Sequence, residues 1–133
     1  MLLVYLAWFN TFKFLGDPLR LTQIIVNIIS NAIKFTKNGS ITIKVVFIED
    51  NIDNNSSKIY FEVKDNGIGI AKEKQALIFE KFTQENLTIT RNYGGSGLGL
   101  AITKNLIEIM NSKIEIDSDI GIGSKFYFYL NLK

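Results

Sequence analysis

Residues 17–36 read DPLRLTQIIVNIISNAIKFT, and the periodicity of this stretch sets the reading of the rest. Asp17 is suited to cap a helix and Pro18 to occupy its first turn, where a missing N–H costs nothing. The apolar spacing carries that helix to about Thr36, where Asn38-Gly39 stops it. At 100° per residue, Arg20, Gln23, Asn27, Asn31 and Lys34 fall in a stripe roughly 80° wide. Leu21, Ile24, Ile25, Val26, Ile28, Ile29, Ala32 and Ile33 fill most of the remaining circumference. A surface helix has the opposite proportions, so this one is expected to be mostly buried, with a narrow polar line facing something wet. That line is either a plain solvent face or a ligand surface. In the second case the asparagines offer carbonyl oxygens to a hard cation such as Mg²⁺, and Lys34 offers a point charge to a phosphate.

Outward from this helix the pattern alternates. Ile41 to Ile48 is β-rich, Glu49 to Lys58 (EDNIDNNSSK) reads as a polar loop, and Ile59, Phe61 and Val63 alternate with Tyr60, Glu62 and Lys64 as a half-buried strand. Asp65 to Gly69 (DNGIG) is a turn. Lys72 to Phe82 forms one or two short helices, Thr83 to Gly97 a polar loop, and Leu98 to Met110 a helix with apolar residues at helical spacing. Ile114–Ile116 and Phe126–Leu130 suggest a hairpin across 117–124. Helices interleaved with hairpin-linked strands predict a two-layer α/β sandwich, a mixed sheet with helices on one face.

Composition narrows the chemistry. The 133 residues suit a single domain, with residues 1–10 as an N-terminal extension of open assignment. The apolar run Met1 to Phe9 is far short of the roughly 20 residues that span a bilayer. It reads instead as an edge strand, a helix end from a longer protein, or a junction. A net charge of +2 gives no electrostatic case for nucleic acid. With no cysteine, disulfides and thiolate metal sites are excluded, and with no histidine the chain has no imidazole base, nucleophile or ligand.

Two glycine-rich turns are candidates for ligand contact. In Asp65-Asn66-Gly67-Ile68-Gly69 the glycines permit close backbone approach, and an ionised Asp65 is a pure acceptor. Such a carboxylate matches the exocyclic amine of adenine and mismatches the carbonyl of guanine, though the motif alone is also an ordinary D-N-G turn. Gly94-Gly95-Ser96-Gly97-Leu98-Gly99-Leu100 runs straight into the last long helix. Free N–H groups at a helix N-terminus favour phosphate, and Arg91 just upstream is placed to close over an outer phosphate. The pattern G-x-x-x-x-G-K followed by Ser or Thr is absent, and neither glycine turn completes G-x-G-x-x-G.

The ordered set Asn27-xxx-Asn31-xx-Lys34, Asp65-x-Gly67-x-Gly69, Phe79-xx-Phe82 and Gly95-Ser-Gly-Leu-Gly-Leu100 resembles the catalytic, ATP-binding domain of sensor histidine kinases. These belong to the gyrase, Hsp90, histidine kinase and MutL superfamily, with its Bergerat-type sandwich. The resemblance implies that Asn31, with Asn27 nearby, ligates the Mg²⁺ bridging the ATP phosphates, and that Lys34 contacts phosphate. It implies that Asp65 binds the adenine amine in a pocket shaped by Gly67, Gly69 and Ile70, with Ser124 of Gly121-x-Gly123-Ser124 near the base. Phe79 and Phe82 anchor the start of an ATP lid running to about Gly94, unless they are simply core. Gly95, Gly97, Leu98, Gly99 and Leu100 wrap the phosphates.

The ATPase branch carries a Glu one helical turn before the metal-binding Asn. Here that position is Asn27, and an amide cannot take a proton from water near neutral pH, so intrinsic hydrolysis is expected to be weak or absent. With no histidine, the phosphoacceptor must lie on a separate helical dimerisation domain of the same kinase, with a response regulator downstream. The implied location is cytoplasmic, within a parent protein that is either soluble or membrane-anchored, with no membrane or nucleic-acid contact by this domain. A serine kinase of the anti-sigma type and a nucleotide-binding module without transfer are the alternatives. Asn111-Ser112 stand where the family usually has Gly-Gly, which leaves the geometry of that turn open.

Overall fold

The computed structural model describes residues 2–6, 18–53, 55–80 and 99–132. Asp17, the expected helix cap, lies outside them. Five strands form one mixed sheet in the order β1-β2-β3-β5-β4: β1 (Leu2–Leu6), β2 (Ile41–Asn51), β3 (Ser56–Asp65), β4 (Glu115–Asp119) and β5 (Gly123–Leu132). β1 is an edge strand parallel to β2, while the other pairings are antiparallel. Helices α1 (Pro18–Phe35) and α2 (Gly99–Ile109) cover one face.

Strand alternation makes that face the core. On β3, Ile59, Phe61 and Val63 are buried, and on β5 Phe126, Phe128, Leu130 and Leu132 answer them. Phe61 and Phe128 are direct cross-strand partners whose rings stack at 5.1 Å. α1 lowers Ile24, Ile28 and Ala32 onto this surface, and α2 adds Leu100 and Ile107. Each large apolar side chain so buried contributes about 1.5–3 kcal/mol. The opposite face is polar and aromatic, with Tyr60 against Tyr127 and Tyr129 and with Lys58 and Lys125 over two of the rings.

Two expectations need correction. α1 is not mostly buried: Val26 and Ile33 are 53% and 59% exposed. The sheet and α2 cover only the flank carrying Ile24, Ile28 and Ala32, so apolar residues nearly half a turn away stay uncovered among the described residues. The polar stretch 49–58 is not a loop either. Glu49, Asp50 and Asn51 pair with Lys58, Ser57 and Ser56, because an antiparallel ladder satisfies the backbone whatever the side chains. A β-bulge between Phe47 and Glu49 shifts the register on the way. For the same reason β4 and β5 run inward to Asp119 and Gly123, beyond the hairpin ends read from apolar residues. The 72–82 segment holds two 3₁₀ turns, Lys72–Lys74 and Leu77–Phe79.

The two asparagine stops behave as glycine would. Asn38 and Asn111 take positive φ of 55° and 58°, a conformation Asn tolerates better than most residues. After α2, the Ser112 N–H donates to the Ile107 carbonyl at 3.0 Å, closing the helix with the six-to-one bond of a Schellman turn. Asn111 therefore keeps the geometry that was in question.

Candidate functional site

α1 carries the site along one edge. Near its middle, the Asn27 side-chain amide donates to the Gly99 carbonyl at 3.3 Å, and the Asn31 amide donates to the Asn27 backbone carbonyl at 3.0 Å. Thr103 closes on the same Gly99 carbonyl at 2.8 Å. Both asparagines thus face the N-terminus of α2, where Gly99 has Asn31 and Asn27 as its nearest neighbours. With the N–H ends committed, the side-chain carbonyl oxygens are the acceptor ends, the donor type a hard cation takes. Lys34, one turn on, is exposed.

At the end of α1 stands the Asp65–Gly69 turn. The Phe35 carbonyl accepts from the Ile68 N–H at 3.2 Å. A Cβ on Gly67 would lie 2.1 Å from that carbonyl oxygen, so only glycine lets the turn sit there. Gly69 has φ 74°, and a Cβ there would meet the Asp119 carbonyl oxygen at 2.0 Å. Asn66 ties the turn to β2, accepting the Ser40 N–H at 2.7 Å. Asn31 and Phe35 are one helical turn apart, about 6 Å along the axis. The asparagine pair and the Asp65 turn therefore share one edge of one helix.

Asp65 is buried, 4% exposed. It accepts the Gly67 N–H at 2.9 Å and the Ser124 N–H. Burial raises its pKa above the ordinary value, and the N–H bonds from Gly67 and Ser124 and the nearby Thr36 hydroxyl pull it back in part. No charged side chain contributes.

Of the other expected residues, Ile70 is partly buried against the core. Leu100 is buried within it, so its backbone rather than its side chain is placed for a ligand. Phe79 packs edge-to-face on Phe126 at 6.2 Å, which is core packing. Phe82, Arg91, Gly95, Gly97 and Leu98, and the proposed lid up to Gly94, lie outside the described residues.

Sequence reasoning missed a brace behind the turn. The Ser118 hydroxyl lies 2.7 Å from that of Ser124, contacts the Gly123 carbonyl at 3.0 Å and accepts the Ile70 N–H at 2.8 Å. Gln75 donates to the carbonyls of Ile70 and Ser118, both at 3.0 Å. Isolated polar residues carry no spacing signal, so nothing in the chain marked these two. A cleft of about 550 Å³ is lined by Asp65, Asn66, Ser118 and Ser124 of this turn and its brace, together with Ser40, Lys64, Asp119 and Lys125. None of α1's polar residues line it.

With this geometry in hand, residues 16–133 match the family of histidine kinase-, DNA gyrase B- and HSP90-like ATPases. Over 131 residues, 98% of the chain, the sequence is 42% identical to the sensor histidine kinase GacS of Pseudomonas protegens, of whose length it spans 14%. Full-length ShkA, crystallised in complex with AMPPNP, superposes with a TM-score of 0.76 at 30% identity, over 98% of this chain and 25% of that one. The catalytic domain of histidine kinase ThkA superposes at 0.71 with 26% identity, over 97% of this chain and 76% of that one.

Proposed function

Since the chain belongs to the histidine kinase-, DNA gyrase B- and HSP90-like ATPase family, we propose that it is the ATP-binding catalytic domain of a sensor histidine kinase, passing the γ-phosphoryl group to a histidine on a separate helical domain. One observation carries the reading: the Asn27–Asn31 pair, the N-terminus of α2 and the buried Asp65 carboxylate lie along one edge of α1.

The base end is Asp65. Its carboxylate accepts the exocyclic amine of adenine, with Gly67, Gly69 and Ile70 shaping the wall and Ser124 holding the carboxylate through its N–H. Asn31, with Asn27, would hold Mg²⁺ through side-chain oxygens, and the ion would supply charge neutralisation and orientation of the phosphates. Lys34, Gly99 and the N–H groups opening α2 bind phosphate by charge and helix dipole. Arg91, Gly95, Gly97 and Leu98 complete the phosphate contacts, and Phe82 begins the lid.

In the transfer, the bond from the γ-phosphorus to the β–γ bridging oxygen breaks as a bond to an imidazole nitrogen forms. ADP leaves, and the imidazole N–H proton passes to a base on the acceptor domain. This chain contributes positioning and electrostatics, which is most of what phosphoryl transfer requires of a protein. With Asn27 in place of a carboxylate, no group described here activates water, so hydrolysis is slow. The similarity to sensor histidine kinases favours a histidine over a serine acceptor.

Incubation with γ-³²P-ATP is expected to leave this chain unlabelled and to label an added helical acceptor domain from its own full-length protein, with acid-labile phosphate. Acid-stable label on serine, or ATP binding with no transfer to that domain, would overturn the proposal.

A further inference from the structure

One buried polar atom is left over where α1 ends. The Thr36 Oγ1 has essentially no solvent contact and makes no hydrogen bond, the one such side-chain atom among the described residues. Buried hydroxyls are paired in almost all folded proteins, and an orphan carries its desolvation cost with nothing in return. Thr36 lies with its methyl beside Gly39, where an added Cβ would come within 2.8 Å of Cγ2. Its β-branched side chain has few other rotamers to choose.

The hydroxyl faces the Asp65 carboxyl. It is near enough to lower that group's pKa, yet outside good hydrogen-bond geometry. A carboxylate offers about four lone-pair sites. The Gly67 and Ser124 N–H groups occupy two, and a donation from Thr36 would take a third, leaving one acceptor site for one ligand N–H.

We propose that Thr36 is a positioning residue for the base end of the nucleotide site: its hydroxyl, orphaned without ligand, donates to the Asp65 carboxylate when adenine is bound and fixes the remaining acceptor site on the exocyclic amine. This rests on the reading of Asp65 as the adenine acceptor. Ile41 of β2, Ser124 of β5 and the Gly67 turn also face Asp65. Lys64 and Lys125 stand at strand positions that alternate to the other face, and neither they nor Lys34 and Lys37 at the end of α1 weigh on its titration.

The test is Thr36→Val, which keeps the shape and removes the hydroxyl, with Thr36→Ser as the conservative control. ATP and GTP affinities are measured by calorimetry between pH 4.5 and 8, with melting temperatures of the ligand-free proteins. The expected result for T36V is ATP binding weaker by roughly tenfold, an acid limb of ATP binding moved to higher pH, and a ligand-free melting temperature no lower than the parent's. T36S restores affinity and limb. A merely structural Thr36 would lower melting temperature and binding together and leave the limb in place. Parent-like ATP affinity and acid limb in T36V would overturn the proposal. If T36V does not fold, Thr36→Ala, which also removes the hydroxyl, is read by the same affinity and acid limb: weaker ATP binding with a shifted limb upholds the hydroxyl's role, and parent-like values overturn it. Asp65→Asn separates the two layers. If D65N keeps the preference for ATP over GTP, the base-site reading has failed. If D65N loses it while T36V behaves as the parent, only the role of Thr36 falls.

Discussion

At the scale of the residue, Asp65 shows how a fold holds a group in an unfavourable state for use. Burial pushes its pKa above the ordinary aspartate value, about 3.9. The sign of the consequence differs for stability and for binding. An acid whose pKa rises on folding makes the ligand-free domain less stable as pH climbs from the ordinary value through the raised one. The proposed adenine recognition runs the other way, since the amine needs the ionised carboxylate, and affinity is expected to fall as pH drops through the raised pKa. Asp65→Asn should uncouple the two. Its melting temperature at pH 7 is expected to be at or above the parent's, while ATP affinity falls roughly ten- to a hundredfold, the value of a hydrogen bond to a charged group. Thermal melts and calorimetry on the same preparation check both halves, and a large loss of stability without loss of ATP affinity would place Asp65 in a structural role alone.

At the scale of the element, the turns decide where the helices point. Asn111 ends α2 in the left-handed region at φ 58°, a position glycine occupies without a Cβ penalty. Asn111→Gly is therefore expected to raise stability in urea denaturation by up to about 1 kcal/mol, and Asn111→Ala to lower it by a similar amount.

The elements were legible to different degrees. α1 and the β3 alternation follow from apolar spacing, and Asp65-x-Gly67-x-Gly69 stands out because two close backbone approaches demand glycine. The burial of α1 was misjudged because periodicity shows which residues share a face, not how many neighbours cover it, and Val26 and Ile33 stay uncovered. The 49–58 hairpin was hidden because Asp50, Asn51, Ser56 and Ser57 pair through backbone groups that side-chain character does not report. Gln75 and Ser118 were invisible for a related reason: their contacts with Ile70, Gly123 and Ser124 exist only after β4, β5 and the Asp65 turn have come together.

At the scale of the whole molecule, the sheet is a platform and α1 is the rail on which the two ends of the proposed nucleotide site are spaced. Its polar stripe reaches the N-terminus of α2 near the middle and the Asp65 turn at the end. No described helix is long and apolar enough to cross a membrane, and the chain spans 14% of the length of its relative GacS. The account stands or falls on whether that edge of α1 binds a magnesium triphosphate. Calorimetric titration with ATP, with and without Mg²⁺, of the parent and of Asn31→Ala is the most direct measurement. The account predicts binding that Mg²⁺ strengthens in the parent, and in N31A a residual affinity that Mg²⁺ no longer improves. ATP binding unaffected by Mg²⁺ in the parent, or the same Mg²⁺ enhancement in N31A, would contradict it.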